Sequence, residues 1–124
     1  MRVAEGLAAF LAGFAYAARG LGMAARQRNF RVELAVAALV LAGGWHFRVS
    51  TVEWALLVLC IFWVLGMEAI NSAVETLADR VSRERDPLIG RAKDLAAGGV
   101  LLAACGAAVI GLIVFLPRLI PLSS

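Results

Sequence analysis

The run WALLVLCIFWVLGM (54–67) carries no charged side chain and is followed at once by EAINSAVETLAD (68–79), with Glu68, Glu75 and Asp79. A segment this apolar finds no place on the surface of a water-soluble domain. A short chain also lacks a core large enough to hide it. Of the 124 residues, 62% are hydrophobic, against about 45–50% in an ordinary soluble domain. The chain therefore reads as a single integral membrane domain over 1–124. The acids pose the functional question: what does a membrane segment want with three carboxylates and an asparagine?

Three apolar spans organise the chain, at about 30–47, 51–82 and 88–116. Glu33 sits near the start of the first. The uncharged part of the third, Leu95 to Leu116, is long enough to cross a hydrocarbon core of about 30 Å. STVE (50–53) has the pattern of a capping box, with Ser50 as cap and Glu53 reaching back. RDPL (85–88) offers Asp86 as a cap and Pro87 at the first helical position. Pro117 and Pro121 are expected to close the third span. No internal repeat or low-complexity segment is visible.

Residues 1–26 admit two readings. An Arg, a short apolar stretch and an A-x-A-like end allow a signal peptide. An Ala-rich helix in the membrane interface, with Arg19 and Arg26 towards headgroups, fits at least as well, and Glu5 weakens the first reading. The expected class is thus an all-α membrane protein with three transmembrane helices and an amino-terminal amphipathic interfacial helix. Cys60 and Cys105 lie in apolar runs with no metal or redox spacing and read as small core residues. His46, beside Trp45 and far from the acids, reads as a membrane-edge residue.

Basic residues set the expected orientation. Arg2, Arg19, Arg26, Arg28 and Arg31 precede the first span, and Arg80, Arg83, Arg85, Arg91 and Lys93 lie between the second and third. Only Arg48 and Arg118 fall on the other side. The amino terminus and the second loop are therefore expected in the cytoplasm.

A helix that starts at Thr51 needs about 20 residues to cross, which puts Glu68 near the cytoplasmic edge and Glu75 and Asp79 further out. At about 100° per residue, Glu68, Asn71, Ser72, Glu75 and Asp79 share one stripe about 100° wide. Ile70, Val74, Leu77 and Val81 take the opposite face. RQRNFRVE (26–33) and GRAKD (90–94) bring further charges to the same layer. Interhelical salt bridging is the bland reading of this layer. Ionisable groups in a membrane are costly, however, and are functional candidates by default.

The chemistry the layer suggests is an anionic substrate with a metal. Mg²⁺ takes one or two carboxylates plus substrate phosphates, a carboxylate in a low-dielectric rim can take a proton from a hydroxyl, and Lys93 offers phosphate a point charge. The chain contains neither GxxxxGK[ST] nor GxGxxG, which excludes the familiar glycine-rich phosphate cradles. Gly98 and Gly99, with nearby alanines, read as close helix packing. There is no Ser-His-Asp set and no His pair, and no polar path crosses the bilayer centre. A polar layer at one face only suits an enzyme acting on a lipid headgroup better than a channel, and no nucleic-acid partner is expected.

EAINSAVETLADRV followed by GRAKDLAAGGVLL resembles the prokaryotic diacylglycerol kinase and undecaprenol kinase family, whose signature is E-x-x-N-[ST]-A-[IV]-E-x-x-x-D followed by A-K-D. The likeness covers about residues 13 to 118. It implies a homotrimeric kinase of the bacterial cytoplasmic membrane that moves the γ-phosphate of ATP, with Mg²⁺, to a lipid hydroxyl at sites between subunits. Carried over, Glu68 is the catalytic base, Glu75 a Mg²⁺ ligand that also meets nucleotide, and Asn71 a positioning amide. Lys93 and Asp94 resemble the nucleotide-binding pair, and Glu84 a loop contact to nucleotide. Asp79 matches the motif in either a structural or an active-site role.

One position departs from the pattern. The family carries a metal-binding Glu where QRNFR places Gln27. An amide offers a hard cation one neutral oxygen in place of a charge. Three outcomes stay open: weaker metal binding, help from Glu33, or an inactive pseudokinase bundle. AKDLAAGGVLL, FRVSTVEW and GLIVFLPRL resemble the undecaprenol kinase branch, whereas Glu33 resembles the diacylglycerol branch. Undecaprenol is the expected acceptor and diacylglycerol the alternative.

Overall fold

The computed structural model describes residues 1–82 and 84–120. Within them every regular element is an α-helix: α1 (Arg2–Ala24), α2 (Arg28–His46), α3 (Thr51–Val81) and α4 (Pro87–Leu119). The stop expected at Pro121 and the loop residue Arg83 lie outside the described residues. The 31 residues of α3 span about 46 Å at 1.5 Å each. That exceeds a hydrocarbon core of about 30 Å, so the last turns of α3 project beyond it.

Local chemistry sets the helix ends. Ser50 Oγ accepts from the Glu53 N–H at 3.2 Å and Glu53 Oε1 accepts from the Ser50 N–H at 3.0 Å, completing the capping box. Asp86 Oδ1 accepts from the N–H groups of Leu88 and Ile89 at 2.8 and 3.4 Å, with Pro87 at the first helical position. Pro117 does not end α4 as expected; the helix runs through it to Leu119. In the last turn a proline forfeits only one helical hydrogen bond, and the Arg118 guanidinium donates to the Val114 carbonyl in the same turn.

A tight corner joins α2 to α3. Arg48 has φ 51°. Its N–H donates to the Trp45 carbonyl, and the Val49 N–H reaches back to the Gly44 carbonyl at 3.2 Å. This is a Schellman closure, with an arginine in the left-handed position that glycine usually takes. Val49 is buried there with Leu57 and Val114, and Phe47, Trp54 and Phe115 pack around them. The apolar core thus sits at the end of the bundle away from the acids. Gly44 is required in this corner: a Cβ would come within 2.7 Å of the Trp54 ring. Gly99 is likewise pressed by Met67 at 2.7 Å, whereas Gly98, also expected in close packing, faces open space.

Packing runs α2 on α3 on α4, while α1 touches α3 and buries only Ala24. By length and composition α1, α3 and α4 qualify as membrane spans. The expected first span, α2, does not, because its opening turns carry Arg28, Arg31 and Glu33. Yet α1 is two-faced. At about 100° per residue Val3, Leu7, Phe10, Leu11, Phe14 and Leu21 share one side, and Arg2, Glu5, Tyr16 and Arg19 the other. That is the pattern of a helix lying in a membrane interface. Arg19 stacks over the Tyr16 ring at 5.4 Å. Large apolar side chains such as Leu102 and Phe62, 77% and 72% exposed, cover the outside of the bundle, as lipid contact requires.

Candidate active site

The stripe read from the helical period emerges on α3, and burial divides it. Glu68 and Asn71, 3% and 5% exposed, are the buried polar residues among those described. Ser72 is half-buried, and Glu75 and Asp79 are exposed. Ile70, Leu77 and Val81 on the opposite face are open to the surroundings. The site therefore runs outward along one helix, from a buried carboxylate to charges that solvent can reach.

Glu68 faces α2 as well as its own helix. The Asn29 and Asn71 amides lie beside its carboxylate, and Glu33 and Glu75 are its charged neighbours. Asn71 Nδ2 also donates to Glu75 Oε1 at 3.4 Å. Asn71 Oδ1 and Glu33 Oε2 are buried without a partner. Among the described residues no Lys or Arg pairs with Glu33, Glu68 or Glu75. Buried polar atoms in folded proteins nearly always find partners, so orphaned oxygens beside unpaired carboxylates mark a place for a cation or a donor group. Among the described residues no three acids, histidines or cysteines are close enough to chelate a metal as a group. The donor set fits Mg²⁺, which keeps waters and shares its shell with substrate phosphates.

Around this centre the other expected residues are spread. Lys93, from α4, places Nζ 3.0 Å from Asp79 Oδ1. Asp94 is exposed one residue on. Glu84 is exposed in the α3–α4 loop, where its N–H donates to Ser82 Oγ at 3.2 Å. Gln27 is the exposed N-cap residue of α2 and makes no side-chain cap bond, which leaves its amide uncommitted to the helix. A cleft of about 330 Å³ lies between α2, α3 and α4. Its walls are apolar, among them Ala37, Ile61, Val64 and Ala108, and Glu33 is the carboxylate that lines it.

Two features escaped the sequence reading. Asn29 faces Glu68, which a register of α2 against α3 reveals and helical periodicity alone does not. Arg118 forms a two-pronged pair with Glu53 at the far end, Nη1 to Oε2 and Nη2 to Oε1 both at 2.8 Å. Both residues stood near the same membrane edge in the sequence, and that shared depth was the available signal.

These features define a class: a helical membrane protein whose acids gather at one end of the bundle, beside an apolar cleft that Glu33 lines. Residues 15–115 match the prokaryotic diacylglycerol kinase family, and the chain belongs to it. It is 38% identical over 111 residues to an undecaprenol kinase from Bacillus subtilis, covering 89% of this chain and 90% of that one. A diacylglycerol kinase from Haemophilus influenzae is 34% identical over 91 residues, 73% of this chain and 77% of the relative. One from Escherichia coli is 36% identical over 90 residues, 71% and 73% of the two chains.

Proposed function

We propose that the chain is an ATP-dependent lipid kinase that phosphorylates the hydroxyl of undecaprenol. The observation that carries this reading is the placement of Glu68. It is a buried carboxylate with two amides beside it, next to Glu33 at an apolar cleft, with exposed charges two and three turns further along. An isoprenoid alcohol would lie in the cleft with its hydroxyl at Glu68. A Glu68 carboxylate oxygen would take the hydroxyl proton as the lipid oxygen bonds to the γ-phosphorus and the bond from phosphorus to ADP breaks. Asn29 and Asn71 would orient Glu68, and Lys93 would meet phosphate oxygens. Mg²⁺ would be held by Glu75 with an amide oxygen, that of Gln27 or Asn71, and would neutralise phosphate charge. Catalysis would then rest on positioning and charge rather than on a covalent intermediate.

Three further parts belong to this reading. The amino terminus and the α3–α4 loop face the cytoplasm of a bacterial inner membrane, supported by the basic residues that flank them. The working unit is a homotrimer, supported by the exposure of Glu75 and Asp94, which one chain alone does not enclose around ATP. Asp94 and Glu84 complete the nucleotide side. The acceptor is tested by offering undecaprenol and diacylglycerol in mixed micelles with ATP and Mg²⁺ and identifying the phosphorylated product. Preference for undecaprenol supports the reading. Preference for diacylglycerol replaces the acceptor, and transfer to neither removes the kinase.

A further inference from the structure

We propose that Asp79 is a positioning residue for nucleotide: it anchors the Lys93 ammonium at the site so that the free N–H donors of Lys93 meet the phosphates. The proposal rests on the kinase reading for the role of Lys93 and adds a role for Asp79. Asp79 continues the stripe of Glu68 and Glu75 by one more turn of α3, and Lys93 lies on the facing helix α4, with 3.0 Å between Nζ and Oδ1. An ammonium has three donors. One on Asp79 leaves two, so the pair need not break for phosphate to bind. The lysine stem is long and loses several rotamers when its head is fixed. Ordering the lysine beforehand favours nucleotide when it arrives.

A mere helix staple is the competing account, and exposure argues against it. The Lys93 and Asp79 side chains are 39% and 66% exposed, and pairs that open contribute little to stability. The same two helices already carry a two-pronged pair at the other end, Arg118 with Glu53, at 29% and 24% exposure. That pair has the geometry of a staple. Among the described residues two ion pairs thus join α3 to α4, one at the core end and one in the layer of the acids, and the second is the one placed to reach a phosphate.

The test is a cycle of Asp79→Asn, Lys93→Met and the double variant, with Asp79→Glu and Glu53→Gln beside them. Kinetics against ATP and direct binding of Mg²⁺ with a non-hydrolysable ATP analogue are both read. Asp79→Asn is expected to raise the KM for ATP and the analogue Kd by about three- to tenfold, the range of one ion pair plus the freed rotamers. kcat and the lipid KM should move less, and Asp79→Glu should recover part of the loss. On the Lys93→Met background Asp79→Asn should add nothing. Additive losses, or a Glu53→Gln protein with the same nucleotide defect, would overturn the positioning role. A parent chain that binds the analogue yet transfers no phosphate sinks the kinase reading, while the binding cycle still decides Asp79. A parent chain that binds no analogue overturns both.

Discussion

Gly44→Ala is the substitution whose cost can be worked most directly from the structure. The new Cβ would stand 2.7 Å from Trp54 Cη2 and 3.0 Å from Cζ2 and Cζ3, so the indole must move by several tenths of an ångström or α2 must back away from α3. Overpacking of this kind costs about 1–3 kcal/mol. Alanine returns about 0.8–1.0 kcal/mol of helix propensity. The net expectation is a loss of about 0–2 kcal/mol, from those two ranges. All three clashing atoms belong to the six-membered ring of Trp54, so Trp54→Phe removes them. Alone, Trp54→Phe should cost about 1–2 kcal/mol in lost apolar burial. Together the two changes should cost less than their sum, by about 1–2 kcal/mol, as contacting residues do. The assay is unfolding by added SDS from neutral micelles, followed by helical circular dichroism. Stability losses that simply add would refute the packing of this corner. The corner also sets the register of α2 on α3, so a loss of coupling between Asn29, Glu33 and Glu68 should accompany the clash as lower transfer activity.

The other predictions concern charge, capping and metal. Glu53→Gln should lower resistance to SDS unfolding while leaving nucleotide affinity in place, because its partner Arg118 lies at the opposite end from the site; equal stability would show that the pair is idle. Asp86→Ala removes the acceptor for two N–H groups at the start of α4 and should cost about 1 kcal/mol, read in the same unfolding assay. Gln27→Glu should lower the Mg²⁺ concentration needed for half-maximal transfer, because a carboxylate would replace an amide at the proposed metal position. An unchanged or raised Mg²⁺ requirement would remove Gln27 from the metal's surroundings.

Much of the fold could be read from the sequence because membrane helices announce themselves locally. Ser50 with Glu53, and Asp86 with Pro87, marked two helix starts to the residue. The apolar runs gave the helices to within a few positions. Pro117 misled, since the helix bears the loss of that one N–H and runs two residues past it. The first span was expected at 30–47, yet by length and composition α1 qualifies and α2 does not, because the charges of the acid layer sit at the start of α2. The stripe from Glu68 to Asp79 followed from one helix's period. What the period could not supply was contact between helices: Asn29 against Glu68, Lys93 on Asp79 and Arg118 on Glu53 each join two elements, and side-chain reach decides them. Burial within the stripe was equally hidden, because it depends on what α2 covers.

In the proposed reaction Glu68 removes the proton from a lipid hydroxyl. The most direct measurement compares phosphate transfer from ATP to undecaprenol by the parent chain and by Glu68→Gln, with nucleotide binding followed in both. General-base catalysis supplies about 10²- to 10⁴-fold, so the account predicts a fall in kcat of that size with nucleotide affinity held within a few-fold. A Glu68→Gln protein that turns over at the parent rate would contradict it.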